Sequence, residues 1–172
     1  MSMTGETRPR AHDGERGAVA VEFALIFPLL AMLLLGTVTA GLAYTNAVGL
    51  SNAVREGSRF AATTAYPPTT GDWAVDVVSR TRAVQFDDPG AKTHVCVWLE
   101  KQGTGNLVTK CSAGEPGLAA PPEPATPSNV DVGDCVVKVA ASRRFSISAV
   151  LINFADRTMT RQSIALYERA TC

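Results

Sequence analysis

The sequence predicts an α+β chain in which a long N-terminal transmembrane helix continues into a small antiparallel-sheet domain. Three observations carry that expectation. No charged residue lies between Phe23 and Val54, whereas the first 17 residues hold Glu6, Arg8, Arg10, Asp13, Glu15 and Arg16. Beyond Gly90, helical spacing gives way to short, Val-rich, strand-like segments. Glycine and proline clusters separate those segments. Across the 172 residues, 16 basic side chains balance 16 acidic ones, which argues against a basic nucleic-acid binder and an acidic disordered tail.

The helix comes first. At about 1.5 Å per residue, the 22 residues from Phe23 to Tyr44 cover the roughly 30 Å hydrocarbon core of a bilayer. A polar leader over 1–17 and a transmembrane helix over 18–44 follow from this. A buried soluble helix would show a polar face within four turns, and none appears. Release by signal peptidase is the other alternative, since Val38 and Ala40 form a small-x-small pattern before Gly41. Its apolar core would exceed the usual length, roughly 7–15 residues, and would carry Glu22 near its start. Pro28 sits near one end of the span, where a local kink is tolerated.

Glu22 is the one carboxylate at the start of the apolar run. A comparable Asp at the bilayer centre costs on the order of 2.5–3.5 kcal/mol, and less toward the interface. Glu22 therefore either reaches back to headgroup water near Arg16 or has a partner.

Past Tyr44 the apolar and small residues Ala43, Ala47, Leu50, Val54, Gly57 and Ala61 recur at steps of four and three, with Arg55, Glu56 and Arg59 off that stripe. The helix is expected to extend over 45–66 and to stop at Pro67 and Pro68. Its stripe has two uses open to it: docking on the chain's own domain, or close packing against another subunit. Gly71 and Asp72 then start a short helix with Trp73, Val77, Val78, Thr81 and Val84 on one side. Asp87, Asp88, Pro89 and Gly90 end it.

Strands are expected at His94–Glu100, Asn106–Lys110 and Cys135–Ala140, the first two joined as a hairpin through Gln102, Gly103, Thr104 and Gly105. Arg144–Ile147 and Thr158–Tyr167 could each add a strand, separated by the apolar stretch Ala149–Ala155. Residues 112–129 hold five of the chain's ten prolines and read as a flexible or partly extended loop within the domain over 67–172.

Cys96, Cys111, Cys135 and Cys172 all lie beyond the apolar run. They form no C-x2-C pair, so a zinc site has weak support and no metal is expected. Two disulfides fit better and require an oxidising, extracytoplasmic compartment. Of three connectivities, Cys96 with Cys111 would clasp the hairpin and Cys135 with Cys172 would tie the C-terminus to a strand; buried free thiols are the remaining option.

Catalytic patterns are missing. There is no H-E-x-x-H, G-x-S-x-G or G-x4-G-K. His12 falls in the leader, and His94 sits in a strand, where a structural role is commoner than ligation. Arg143 and Arg144 are a pair, not a nucleic-acid-binding patch. Neither enzymatic activity nor a cofactor is expected.

Cutting after Gly17 would leave Glu22 fifth and Phe23 sixth in the new chain. A short polar leader, Gly at the cut, Glu at five, an aromatic at six and a membrane-length helix together resemble the processing site of type IV prepilins. That junction, the helix passing into N-A-V-R-E-G-S-R-F-A-A over 52–62, the small cysteine-bearing domain and the C-terminal T-M-T-R-Q-S-I-A-L-Y-E-R resemble the TadE-like family. TadG-like relatives carry a similar start on a larger domain. The resemblance implies a minor pilin or pseudopilin of a tight-adherence pilus, placed in the cytoplasmic membrane with its N-terminus inside. It implies as partners a prepilin peptidase, other pilin or pseudopilin subunits and an inner-membrane assembly platform. Gly17 would precede the cut, Ala18 become the new N-terminus, Glu22 pair with that terminus on a neighbour, and Phe23 be the motif's aromatic. A membrane-anchored binding module with an uncut leader is the alternative from another class.

Overall fold

The computed structural model describes residues 13–66, 72–84, 92–149, 152–169 and 172. Its elements run α1 (Asp13–Thr63), α2 (Trp73–Val84), β1 (His94–Lys101), β2 (Gly105–Cys111), β3 (Cys135–Ala149) and β4 (Ile152–Leu166). The four strands form one antiparallel sheet in the order β2-β1-β3-β4. Two compact units result, Met1–Ala40 and Gly41–Cys172, so the helix extension shares a unit with the sheet.

α1 is one helix through Pro28. From Leu50 onward it becomes one-sided: Leu50, Val54, Gly57 and Ala61 are buried, while Arg55 and Arg59 stay exposed. The small-residue stripe thus docks on the chain's own domain over these turns. Gly57 makes the closest approach, because a Cβ there would lie 2.1 Å from Thr81 Oγ1 on α2. Glu56 joins the same two helices, accepting hydrogen bonds at 3.2 Å from both Arg59 and Arg80. Those two guanidinium groups hold its carboxyl below the usual range.

α2 starts where the Asp72 carboxylate accepts a hydrogen bond from Ala74 N at 3.1 Å, satisfying an amide that the first turn leaves unpaired. It buries Trp73, Ala74, Val77, Val78 and Thr81, whereas Val84 is exposed. Pro67, Pro68, Gly71 and the Asp87–Gly90 turn lie outside the described residues.

Strand alternation divides the sheet into two faces. Val95, Val97 and Leu99 of β1 and Val137, Val139 and Ala141 of β3 meet Leu50, Val54, Trp73 and Val77 in the main core. The β1–β2 turn closes with Thr104 N donating to Lys101 O at 2.9 Å, and Gly103 adopts φ 89° there. A side chain at that position would strain the turn.

The segments Cys135–Ala140 and Arg144–Ile147, expected as separate strands, form the single strand β3. β4 likewise starts at Ile152, six residues before the expected Thr158. The apolar stretch supplies the ends of this long hairpin, where Ala149 pairs with Ile152; Val150 and Leu151 lie outside the described residues. The ladder to β4 pairs Ser142, Arg143, Arg144 and Phe145, shifts register, and resumes at Ile147, so backbone pairing carries the strand through a polar stretch that side-chain pattern alone left ambiguous.

α1 also ends earlier than expected, at Thr63 instead of Tyr66, and the chain after β4 caps it. Tyr167 Oη accepts from Tyr66 N at 2.6 Å and donates to Thr64 O at 3.0 Å. Glu168 N donates to Ala62 O at 3.1 Å, and Arg169 donates to Thr63 O through Nε at 3.1 Å and Nη2 at 2.9 Å. Helix-terminal carbonyls that would otherwise lack partners are satisfied, one of them by a cation at the negative end of the helix dipole.

The Pro-rich segment lies on the second face of the sheet instead of looping free. Leu118, Pro121 and Pro124 are buried, and Ser142 Oγ donates to Ala119 O at 3.0 Å. Under it, Lys138 is 3% exposed and pairs with Glu100 and, at 2.9 Å, with Glu123. Thr126 donates to Glu100, and Asn106 donates to Glu123 at 3.0 Å. The hydrogen bond from Lys138, then that from Thr126, outweigh burial and hold the Glu100 carboxyl below the usual range. Burial opposes the charge on Lys138, but its two carboxylate partners outweigh that penalty and raise its pKa.

Two consequences are measurable in the full chain in detergent. Gly57→Ala should destabilise the fold by about 1–3 kcal/mol through overpacking, and adding Thr81→Ala should recover most of that loss; thermal unfolding checks both. Lys138→Met should cost about 2–4 kcal/mol by stranding Glu100 and Glu123, with faster amide exchange over 112–129. The Glu100 contribution is complete above its unfolded pKa of about 4.3 and disappears as pH falls through the lowered folded value. The Lys138 contribution is complete below about 10.4 and disappears as pH rises through the raised folded value. Wild-type loop protection should therefore be level across neutral pH and fall at both extremes.

Candidate functional site: the N-terminal junction and its helix

Sequence placed the functional residues at the junction of leader and apolar run, and the structure puts Gly17, Ala18, Glu22 and Phe23 all on α1. The Gly17–Ala18 peptide bond lies inside the helix, and nothing stands within 4 Å of where a Gly17 Cβ would be. Ala18 and Glu22 are four residues apart and share a face. Phe23 packs on Phe27 one turn later, ring centroids 5.4 Å apart. Glu22 is exposed and makes no ion pair or hydrogen bond among the described residues.

The threonines of the apolar stretch are treated differently. Thr37 Oγ1 donates to Leu34 O at 2.8 Å, Thr39 Oγ1 to Leu35 O at 2.9 Å, and Thr45 Oγ1 to Gly41 O at 2.9 Å. Each hydroxyl is satisfied within its own helix, which suits an apolar medium. Large apolar side chains from Val19 to Leu42 are exposed all round. The helix over Gly17–Thr63 is long and apolar enough to cross a membrane, with none of its most apolar window buried. A single-pass membrane anchor follows.

Residues 17–59 match the family model of TadE-like proteins.

The TadE-like segment is about a quarter of the chain. It opens at Gly17 and closes at Arg59, within the turns of α1 that dock on the sheet. No curated protein and no solved structure matches the chain.

The four cysteines form two disulfides, Cys96 with Cys111 across β1 and β2, and Cys135 with Cys172. The second fastens the C-terminus to the start of β3, beside the Tyr167–Arg169 cap of α1. Neither this cap nor the Lys138 cluster was expected from sequence. The cap partners lie more than 100 residues apart, beyond any local pattern. A signal did exist for the cluster: Lys138 interrupts the apolar run Cys135–Ala140, and a lysine there needs counter-charges.

Breaking the C-terminal cap should loosen the end of α1. Tyr167→Phe removes both hydroxyl bonds and should cost about 1–2 kcal/mol, with amide exchange rising at Thr64 and Tyr66 before the sheet is affected.

Proposed function

We propose that the chain is a minor pilin or pseudopilin of a tight-adherence pilus system, cut by a prepilin peptidase between Gly17 and Ala18. It sits in the cytoplasmic membrane with the leader in the cytoplasm and the disulfide-bonded domain outside. Its role is structural, in assembly, and it calls on no enzymatic activity or cofactor. The observation that carries this is the TadE-like match opening at Gly17, five residues before a Glu22 that has no partner among the described residues. Disulfides support the extracytoplasmic placement, since they persist in oxidising compartments.

The physical logic is charge compensation. Cutting creates an α-ammonium on Ala18 at the edge of a low-dielectric region, where both that cation and the Glu22 carboxylate are costly alone. In a bundle of such helices, one copy's amine meets another copy's carboxylate and each offsets the other's desolvation. Glu22 thereby sets the register between subunits. The helical peptide at the cut must unwind for proteolysis, and glycine makes that local unwinding easier.

Intact-mass analysis of the purified protein separates the alternatives: Ala18 as first residue supports this function, Met1 an uncut anchored module, and Gly41 release by signal peptidase. Gly17→Leu should accumulate at full length, and normal maturation of that variant would remove the proposed cut. Glu22→Ala should be trimmed normally yet support few or no pili by electron microscopy.

A further inference from the structure

A second cluster of chemically capable groups lies well away from the N-terminal junction. His94, Cys96 and Cys111 bring one imidazole nitrogen and two sulfur atoms within 4.8 Å of one another. The sheet explains the convergence. His94 and Cys96 are two apart on β1 and so share its face, and Cys111 on β2 stands directly opposite Cys96. In the oxidised chain the sulfurs are bonded to each other. We propose that this is a latent metal site, which holds one Zn2+ or a similarly thiophilic cation once a dithiol has reduced the Cys96–Cys111 disulfide.

The donor set is that of a borderline-soft cation: two thiolates and a neutral imidazole, with a fourth position for water. His94 is anchored at one ring nitrogen. Its Nδ1 lies 3.4 Å from Leu118 O, so with the proton on Nδ1 that carbonyl steadies the ring and Nε2 is left to bind. Access comes from the β2 side, because Cys96 is fully buried but Cys111 is exposed. On the opposite, α2-facing side of the strand, Cys111 and Ser112 border a groove of about 460 Å³ with Val75, Val78, Arg82 and Lys110. The guanidinium of Arg82 is fixed there by the carbonyls of Thr93 and Ala113.

The chemistry balances. The dithiol gives two electrons and two protons and becomes a disulfide, while the Cys96–Cys111 bond breaks to yield two thiols. Zn2+ then displaces both thiol protons, and the metal replaces the covalent clasp between β1 and β2.

The full chain in detergent is reduced with dithiothreitol under argon, freed of reductant and titrated with Zn2+ against a chromophoric chelator. One equivalent should bind, and the oxidised chain should bind none. Reduction also frees Cys135 and Cys172, so Cys96→Ser with Cys111→Ser measures their background and should lack the tight site. His94→Gln keeps all four thiols and should weaken binding at least about tenfold. Co2+ in place of Zn2+ should give thiolate charge-transfer absorption in the wild type only. If reduction loosens the domain, Zn2+ should restore its near-ultraviolet circular dichroism. Wild-type affinity in the His94→Gln chain, binding no tighter than in the double serine chain, or a loosened domain that Zn2+ fails to restore would each overturn the site.

Discussion

Because α1 runs without a charged side chain from Phe23 to Val54, its first half calls for apolar surroundings, whether lipid or other helices. Large side chains project in all directions from Val19 to Leu42. Water would penalise each of them, by roughly 1.5–3 kcal/mol for a fully exposed Leu, Ile or Phe relative to burial. Lipid removes that penalty without helix partners, and other helices remove it with them. The later turns follow a different rule. Leu50, Val54, Gly57 and Ala61 are covered by the chain's own core, so from Leu50 on one face of the helix is already occupied.

The sheet is covered on both faces, by different means. One face meets α1 and α2 through aliphatic packing. The other is closed by a proline-rich segment whose own apolar surface is small, and there charge supplies the specificity. Lys138 stands opposite Trp98 on β1 and is paired to Glu100 of the sheet and Glu123 of the covering segment. Replacing such a cluster with apolar residues often leaves stability unchanged. Its value here is positional: one ammonium ties Glu100 of the strand to Glu123 of the covering segment and so holds that segment against the sheet. The hydrogen bonds from Thr126 and Asn106 add to that hold.

What could be seen in the sequence followed from short-range rules. The apolar run, the Asp72 cap and the Gly103 turn each depend on residues within a few positions, and all three stand where their patterns put them. The errors arose where the deciding partner was distant. Proline-rich composition indicated a loose segment, yet proline rings bury well once a sheet face offers them a surface, as Pro121 and Pro124 show. β3 looked broken at Ser142–Arg144 because polar side chains interrupt its alternation, but its ladder to β4 depends on backbone pairing. The cap on α1 joins Tyr167, Glu168 and Arg169 to residues 62–66, a contact that exists only after the sheet has formed. At the N-terminal junction, Gly17, Ala18, Glu22 and Phe23 drew notice by their spacing at the start of the apolar run. That the Gly17–Ala18 peptide bond sits inside a helix was not foreseen.

The treatment of polar groups along α1 bears on why trimming would matter at all. Thr37, Thr39 and Thr45 satisfy themselves on carbonyls of their own helix, which a hydroxyl can do and a carboxylate cannot, since it has no proton to donate when ionised. Glu22 must therefore find a donor or cation elsewhere. In the uncut chain the amide of Ala18 is committed to the helix and offers no charge. After a cut at Gly17 the amine lies four residues from Glu22, about 6 Å along the axis, and helix side chains lean toward the N-terminus. A lone trimmed subunit could then shield Glu22 with its own amine, keeping the charge tolerable while it waits in the membrane. On the proposed function, polymerisation exchanges that internal pairing for one with a neighbour in drier surroundings, where the Coulomb attraction is larger. The exchange adds stability only when the neighbour's amine arrives at the level of Glu22, so one buried charge pair selects a single axial offset between helices that are otherwise uniformly greasy.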